Sequence, residues 1–301
     1  MNQPALTALA TLAAAAVLCA LAACSSNGAS TTADHSASTI VLPPAGAVAD
    51  YQLGGSYEPS PDVRTVTRES TDQPVPDMYS ICYVNGFQSQ PGEHWPLSLL
   101  LTDSAGAPMA DPGWPDEYFF DISTADNRTD LAQRLTTSIE RCASSGFQAV
   151  EFDNLDSYTR TGGALSRADA VNFAALLVDA AHDRGLAAGQ KNAPDLAHQG
   201  ATSIGFDFVV SEECFRYTEC ESYTRAYGAN VIDIEYVDDL LGTIADVSAS
   251  PGRLAYAVPS GASSAEPVRE LRWLRASSGN SSTESIPAPT NAAAVPDDSS
   301  A

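Results

Sequence analysis

The chain has 301 residues, 44% of them hydrophobic, which is enough for one substantial core. Lys and Arg number 15 against 38 Asp and Glu, a net charge of −23. That balance excludes nucleic acid as a partner and leaves attraction of cationic polymers, or plain solubility, as its meaning.

Residues 1–23 carry no charged side chain and hold the apolar run LTALATLAAAAVLCALAA. Leu21-Ala22-Ala23-Cys24 has the form of a lipoprotein cleavage box, in which small residues fit the peptidase and the thiol then takes the lipid. The usual Lys or Arg before the apolar run is missing, so an uncleaved anchor or an ordinary secretory signal is the rival reading. Either way the mature chain is expected outside the cytoplasm, on the cell surface through Cys24 or secreted. Residues 24–49 are rich in Ser, Ala, Thr and Pro and read as a flexible tether. Residues 276–301 are similarly biased and read as a disordered tail. Between them, 50–275 is expected to form a single domain, and a monomer.

Six cysteines suit an oxidising compartment. Cys19 leaves with the signal and Cys24 carries the lipid, so Cys82, Cys142, Cys214 and Cys220 remain, with three possible pairings. Closeness in sequence favours Cys214 with Cys220. That leaves Cys82 for Cys142, if their strand and helix are neighbours. No CxxC spacing supports the rival zinc site, and no metal or cofactor is expected.

Short apolar runs alternate with longer helical stretches. Strands are predicted at 62–67, 79–86, 117–123, 148–154, 186–192, 206–212, 230–236 and 253–259. A helix over 128–144 buries Leu131, Leu135, Ile139 and Cys142 at spacings of three and four. Another starts near Ser166, where Asp169 completes an approximate capping box, and stops at Gly185. Eight strands alternating with helices predict a (β/α)8 TIM barrel, whose chemistry lies at the C-terminal ends of the strands. Those ends read Asn85-Gly86, Asp121, Asp153-Asn154, Lys191-Asn192, Glu212-Glu213, Glu235-Tyr236 and Pro259-Ser260. Helix caps would account for Asp and Ser there, but poorly for Lys191, the chain's single lysine, or for Glu212 and Glu235. The densest stretch is AVEFDNLD, 149–156, where alternation puts Glu151 and Asp153 on one face and Phe152 on the other.

YQLGG (51–55), ICYVNG (81–86), GWPDEYFFDIS (113–123), GFQAVEFDNLDSY (146–158), GLAAGQKNAPDL (185–196), FDFVVSEECFRYTEC (206–220) and VIDIEY (231–236) together resemble the endo-α-1,4-polygalactosaminidases, glycoside hydrolase family 114. The resemblance covers about 50–237 and implies a TIM barrel that hydrolyses α-1,4-linked galactosamine or N-acetylgalactosamine polymers. It puts the catalytic carboxylates at Asp153 and Glu212. This chain departs from the usual family pattern at Phe152 (more often Pro), Ser211 (Asn) and Glu213 (Gln). Strand alternation through Phe208, Val210 and Glu212 selects Glu212 over Glu213 as the inward acid.

Glycoside hydrolysis needs one ionised carboxylate and one that holds its proton. Asp153, beside Asn154 and Lys191, is expected to be the nucleophile or base, and Glu212, after Val209-Val210, the general acid. Glu151, Asp156, Asp121 and Glu235 are expected to contact sugar hydroxyls or ammonium groups, with Asn154, Lys191 and Asn192 also on the substrate. Tyr83, Tyr217 and Tyr236 offer faces for sugar rings, or core packing. Two rivals remain: a non-catalytic polysaccharide-binding surface lipoprotein, and an aldolase-type barrel using Lys191 as a Schiff base.

Overall fold

The computed structural model describes residues 39–236, with the backbone of 254–258 and 272–273. Residues 1–23, read as a signal segment, Cys24, and residues 276–301, read as a tail, lie outside the described residues.

β-Branched and apolar residues flanked by turns form eight parallel strands in sequence order: β1 Val48–Gln52, β2 Val63–Glu69, β3 Tyr79–Asn85, β4 Ala149–Asp153, β5 Ala187–Lys191, β6 Phe208–Glu212, β7 Val231–Tyr236 and β8 Leu254–Val258. A short antiparallel β9, Arg272–Trp273, follows β8. β1 also approaches β8, so the sheet curls into a nearly closed barrel of the predicted class. Among the described residues no helix is long and apolar enough to cross a membrane.

The predicted strand set needs two corrections. β1 was not expected, because its outward residues Asp50 and Gln52 are polar. Both are nevertheless buried: Gln52 donates to Asp50 at 2.8 Å, Tyr57 to Asp50 at 2.7 Å, and Arg68 to Gln52 at 2.9 Å. On this side a polar network in the loop after β1 takes the place of a covering helix. Conversely, 117–123 is not a barrel strand. It lies in an excursion between β3 and the first helix, pairing by isolated antiparallel bridges such as Gln88 with Phe119 and Leu100 with Phe120. Phe119, Phe120 and Ile122 are fully buried, which explains why the segment reads as a strand.

Helix α1, Ala125–Ser145, is capped by Thr124 at its start and by left-handed Gly146 at its end, and buries the four predicted residues. Helix α2, Arg167–His182, has both halves of the Ser166–Asp169 capping box. α3, Ala197–Gln199, is one turn that runs on as a π-helix over Gly200–Ile204, and α4 is Cys220–Tyr227. The β1–β2 and β2–β3 connections contain no helix, so among the described residues strict strand–helix alternation runs from β3 to β7.

Two apolar cores result. Between sheet and helices lie residues such as Phe152, Phe173, Leu177 and Val209. Inside the barrel Ala49, Ile81, Ala149, Ala187, Phe208, Val210, Ile232 and Ile234 fill the lower part. Gly189 makes room for Phe208, whose ring would lie 2.6 Å from any Cβ there. Residues just before β1 close the base: Tyr79 donates to the Val41 carbonyl at 2.6 Å, and Pro43 is buried. Order therefore reaches into the segment read as tether.

Both disulfides follow the favoured pairing, Cys82–Cys142 between β3 and α1 and Cys214–Cys220 after β6. Chain-entropy arguments scale with the enclosed loop, 60 and 6 residues here. Replacing Cys82 and Cys142 by Ser should therefore cost about 4 kcal/mol of unfolding free energy, against about 2 kcal/mol for the Cys214–Cys220 pair, measured by denaturant titration.

Candidate active site

Above the apolar filling, the inward positions change character. Tyr51 on β1, Tyr83 on β3, Glu151 and Asp153 on β4, Lys191 on β5, Glu212 on β6 and Tyr236 on β7 converge. Register explains this: Tyr83 pairs with Glu151, Asn85 with Asp153, and Glu151 with Gly189. Period-two alternation then puts Ala149, Glu151 and Asp153 in one inward column.

Lys191 is the hub. It is 3% exposed, and its Nζ lies 3.3 Å from Asp153, 3.4 Å from Glu212 and 3.7 Å from Glu151. Each carboxyl also accepts from a tyrosine at 2.6 Å: Glu151 from Tyr51, Asp153 from Tyr83 and Glu212 from Tyr236. Asn192 donates to Glu212 at 3.1 Å and accepts from its backbone N–H at 2.7 Å. The Asn154 N–H donates to Asp153 at 2.8 Å.

Backbone geometry sharpens the strand tips. Asn154, Asn192 and Glu213, each directly after a site residue, have φ of 64°, 48° and 55°. Asn adopts this left-handed conformation readily, but glutamate does so at a cost. The turn at Glu213 sends its carboxylate to Arg216, while Glu212 faces the lysine.

Burial pushes the Asp153 carboxyl up, but the Lys191 charge, the Tyr83 hydrogen bond and the Asn154 N–H outweigh it, and the group is held below its ordinary value. Glu151 goes the other way. Complete burial, with the Asp153 and Glu212 charges, overcomes Lys191 and Tyr51 and raises it to about 7. Burial lowers an ammonium's pKa, yet the three carboxylates raise that of Lys191 well above its ordinary value. A charged amine is not a nucleophile, so these three contacts weigh against the Schiff-base reading.

Other predicted contacts lie elsewhere. Glu235 points away from the barrel interior; it accepts from the Phe215 N–H at 2.7 Å and, with Asp233, braces the loop after β6. Burial and the Asp233 charge raise it to about 8. Asp121 accepts from Ser123 and Asn127 at the start of α1. Asp156 pairs with Arg160 at 2.7 Å, and that guanidinium also holds Asn154 and Asp111. Tyr217 is exposed, its ring against Arg216. Cys214, Cys220, Asp233 and Glu235 cluster tightly enough for a metal, but the two sulfurs are spent in a disulfide.

Sequence reasoning missed Tyr51 as a site residue, although YQLGG was among the matching pieces. It also missed Glu117, which accepts from Asn85 at 2.9 Å and is raised by burial to about 7, and Glu69, at the end of β2. The strand-end position of Glu69 was the available signal.

The sequence matches the glycoside-hydrolase family GH114 over residues 29–261. The chain belongs to that family. It is therefore a glycoside hydrolase. Among solved structures it is similar to Aspergillus fumigatus Ega3 in complex with galactosamine, at 22% identity and TM-score 0.63, covering 78% of this chain and 98% of that one. The glycoside hydrolase domain of PelA from Pseudomonas aeruginosa is 14% identical with TM-score 0.48, covering 72% of this chain and 96% of that one. No curated protein matches the sequence.

Glu151, Glu117 and Glu235 keep their protons in the folded GH114 barrel to about 7, 7 and 8, whereas an unperturbed Glu loses its proton near 4.5. Above that value the unfolded chain binds fewer protons than the native one, so stability falls as pH rises. Asp153, depressed in the fold, acts oppositely and loses its contribution only as pH falls below 3.8. Urea unfolding should therefore give a higher free energy near pH 5 than near pH 8; a flat or rising curve would contradict these assignments.

Proposed function

We propose that this chain is an extracellular hydrolase of α-1,4-linked, galactosamine-containing polymers, with Asp153 as nucleophile and Glu212 as general acid. The observation that carries the reading is the shared ammonium: Lys191 touches both carboxylates at the mouth of the barrel. The galactosamine in the complex with similarly folded Ega3 supports the choice of sugar. So does the net charge of −23, which suits a polycation. A lipid on Cys24 would hold the enzyme at the surface where such a polymer lies.

The chemistry follows from the environments. Asp153, held ionised by Lys191 and two hydrogen bonds, attacks the anomeric carbon. Glu212 is partly exposed, so it can reach the glycosidic oxygen and protonate it. Tyr83 and Tyr236 fix the two carboxylates, and Asn192 fixes Glu212 further. The oxygens of Asp153 and Glu212 that contact Nζ lie at most about 6.7 Å apart, the sum of the two contacts. That limit falls at the lower edge of the roughly 6.5–9.5 Å that inverting enzymes need to admit a water. Retention through a covalent glycosyl-enzyme is the outcome this geometry favours.

Asp153→Asn and Glu212→Gln should each lower kcat by about a hundredfold to ten-thousandfold, scored by reducing ends released from a galactosamine polymer, with unchanged circular dichroism. Near-normal turnover in either variant would sink the assignment and revive a binding role. Proton NMR of the first-formed product should show the α anomer; initial release of β would mean inversion.

A further inference from the structure

Glu151 is the one carboxyl of the cluster that cannot meet a substrate, being 0% exposed. Its Oε1 accepts from Tyr51, but its Oε2 is buried without a hydrogen-bond partner among the described residues. An ionised carboxylate is strongly disfavoured in that state, because neither water nor a donor serves half of its charge. The groups facing it from the described strands are Tyr51 on β1, Asp153 on its own strand, Lys191 on β5 and Glu212 on β6, with Tyr83 beyond. Only one of these is cationic. That ammonium stands closer to Asp153 and Glu212 than to Glu151.

We propose that Glu151 is a positioning residue that works as a neutral acid, leaving the Lys191 ammonium to Asp153 and Glu212, and that its ionisation turns the pair off. This rests on the reading of Asp153 and Glu212 as the catalytic carboxylates. With Glu151 neutral, one ammonium serves two carboxyl groups, and Asp153 is kept ionised. Once Glu151 ionises, a third negative charge enters a dry enclosure with no further cation among the described residues. It draws Nζ down the barrel, away from the mouth, and makes ionised Asp153 less favourable. The raised proton affinity of Glu151, to about 7, puts this change within the working range of an enzyme. The high-pH limb of the rate profile then belongs to a residue that touches no substrate, in place of the general acid alone.

The test uses the full chain with Glu151→Gln, the isostere of the neutral acid, and Glu151→Ala. Glu151→Ala should lower kcat at every pH, whereas Glu151→Gln should restore most of that loss and move the high-pH limb upward by about one unit or more. A limb that stays in place in Glu151→Gln, or a Glu151→Gln protein that folds but is as slow as Glu151→Ala, overturns the proposal. Infrared difference spectra supply a readout without substrate. The wild-type protein at about pH 5 should show a protonated-carboxyl carbonyl band that Glu151→Gln lacks, and it should vanish with a midpoint near neutrality. Absence of that band overturns the proposal whatever polymer the enzyme cleaves; its presence beside active Asp153→Asn and Glu212→Gln variants overturns the carboxylate-pair reading alone.

Discussion

A single ammonium inside a ring of carboxyl groups governs this barrel's upper half. Lys191 is almost wholly buried, so its charge is screened little by water and acts strongly on Asp153, Glu151 and Glu212. Removing one member of such a buried set typically costs about 3–5 kcal/mol, because the remaining charges lose their compensation. The tyrosines complete the arrangement. Tyr51, Tyr83 and Tyr236 reach in from three strands and give each carboxyl its own donor, so no two acids compete for one hydroxyl. The floor below is apolar, from Ile81 to Phe208 and Ile232, and leaves the charged layer no route to solvent except the mouth.

How the chain delivers these groups is a matter of period and punctuation. Strand alternation brings one residue in two inward, and a left-handed residue straight after β4, β5 and β6 ends each strand before the next side chain can follow. Asn154 and Asn192 occupy that conformation at little strain, and both spend their side chains supporting the site, on Asn85 and on Glu212. Glu213 accepts strain in the same place and is steadied by Arg216.

The site was legible where pattern and burial agree. AVEFD and FVVSE are short apolar strands with acids at alternate positions, and the structure puts Asp153 and Glu212 on the same ammonium. Legibility failed where polarity and burial part company. β1 hides behind Asp50 and Gln52, which are buried because Arg68 and Tyr57 satisfy them, and Tyr51 was lost as a site residue with it. EYFFDIS misled in the opposite sense, with Phe119, Phe120 and Ile122 filling the layer outside the sheet. Glu235 stands at a strand end like the others, but one step of alternation turns it to the helix side.

The Cys82–Cys142 bond has a bearing beyond stability. It joins β3 to α1, so the excursion from Gly86 to Thr124 is contained in a covalent ring. A protease that nicked that excursion would leave two chains still bound to one another, with β3 and β4 in register. The excursion can therefore be cut without the barrel coming apart.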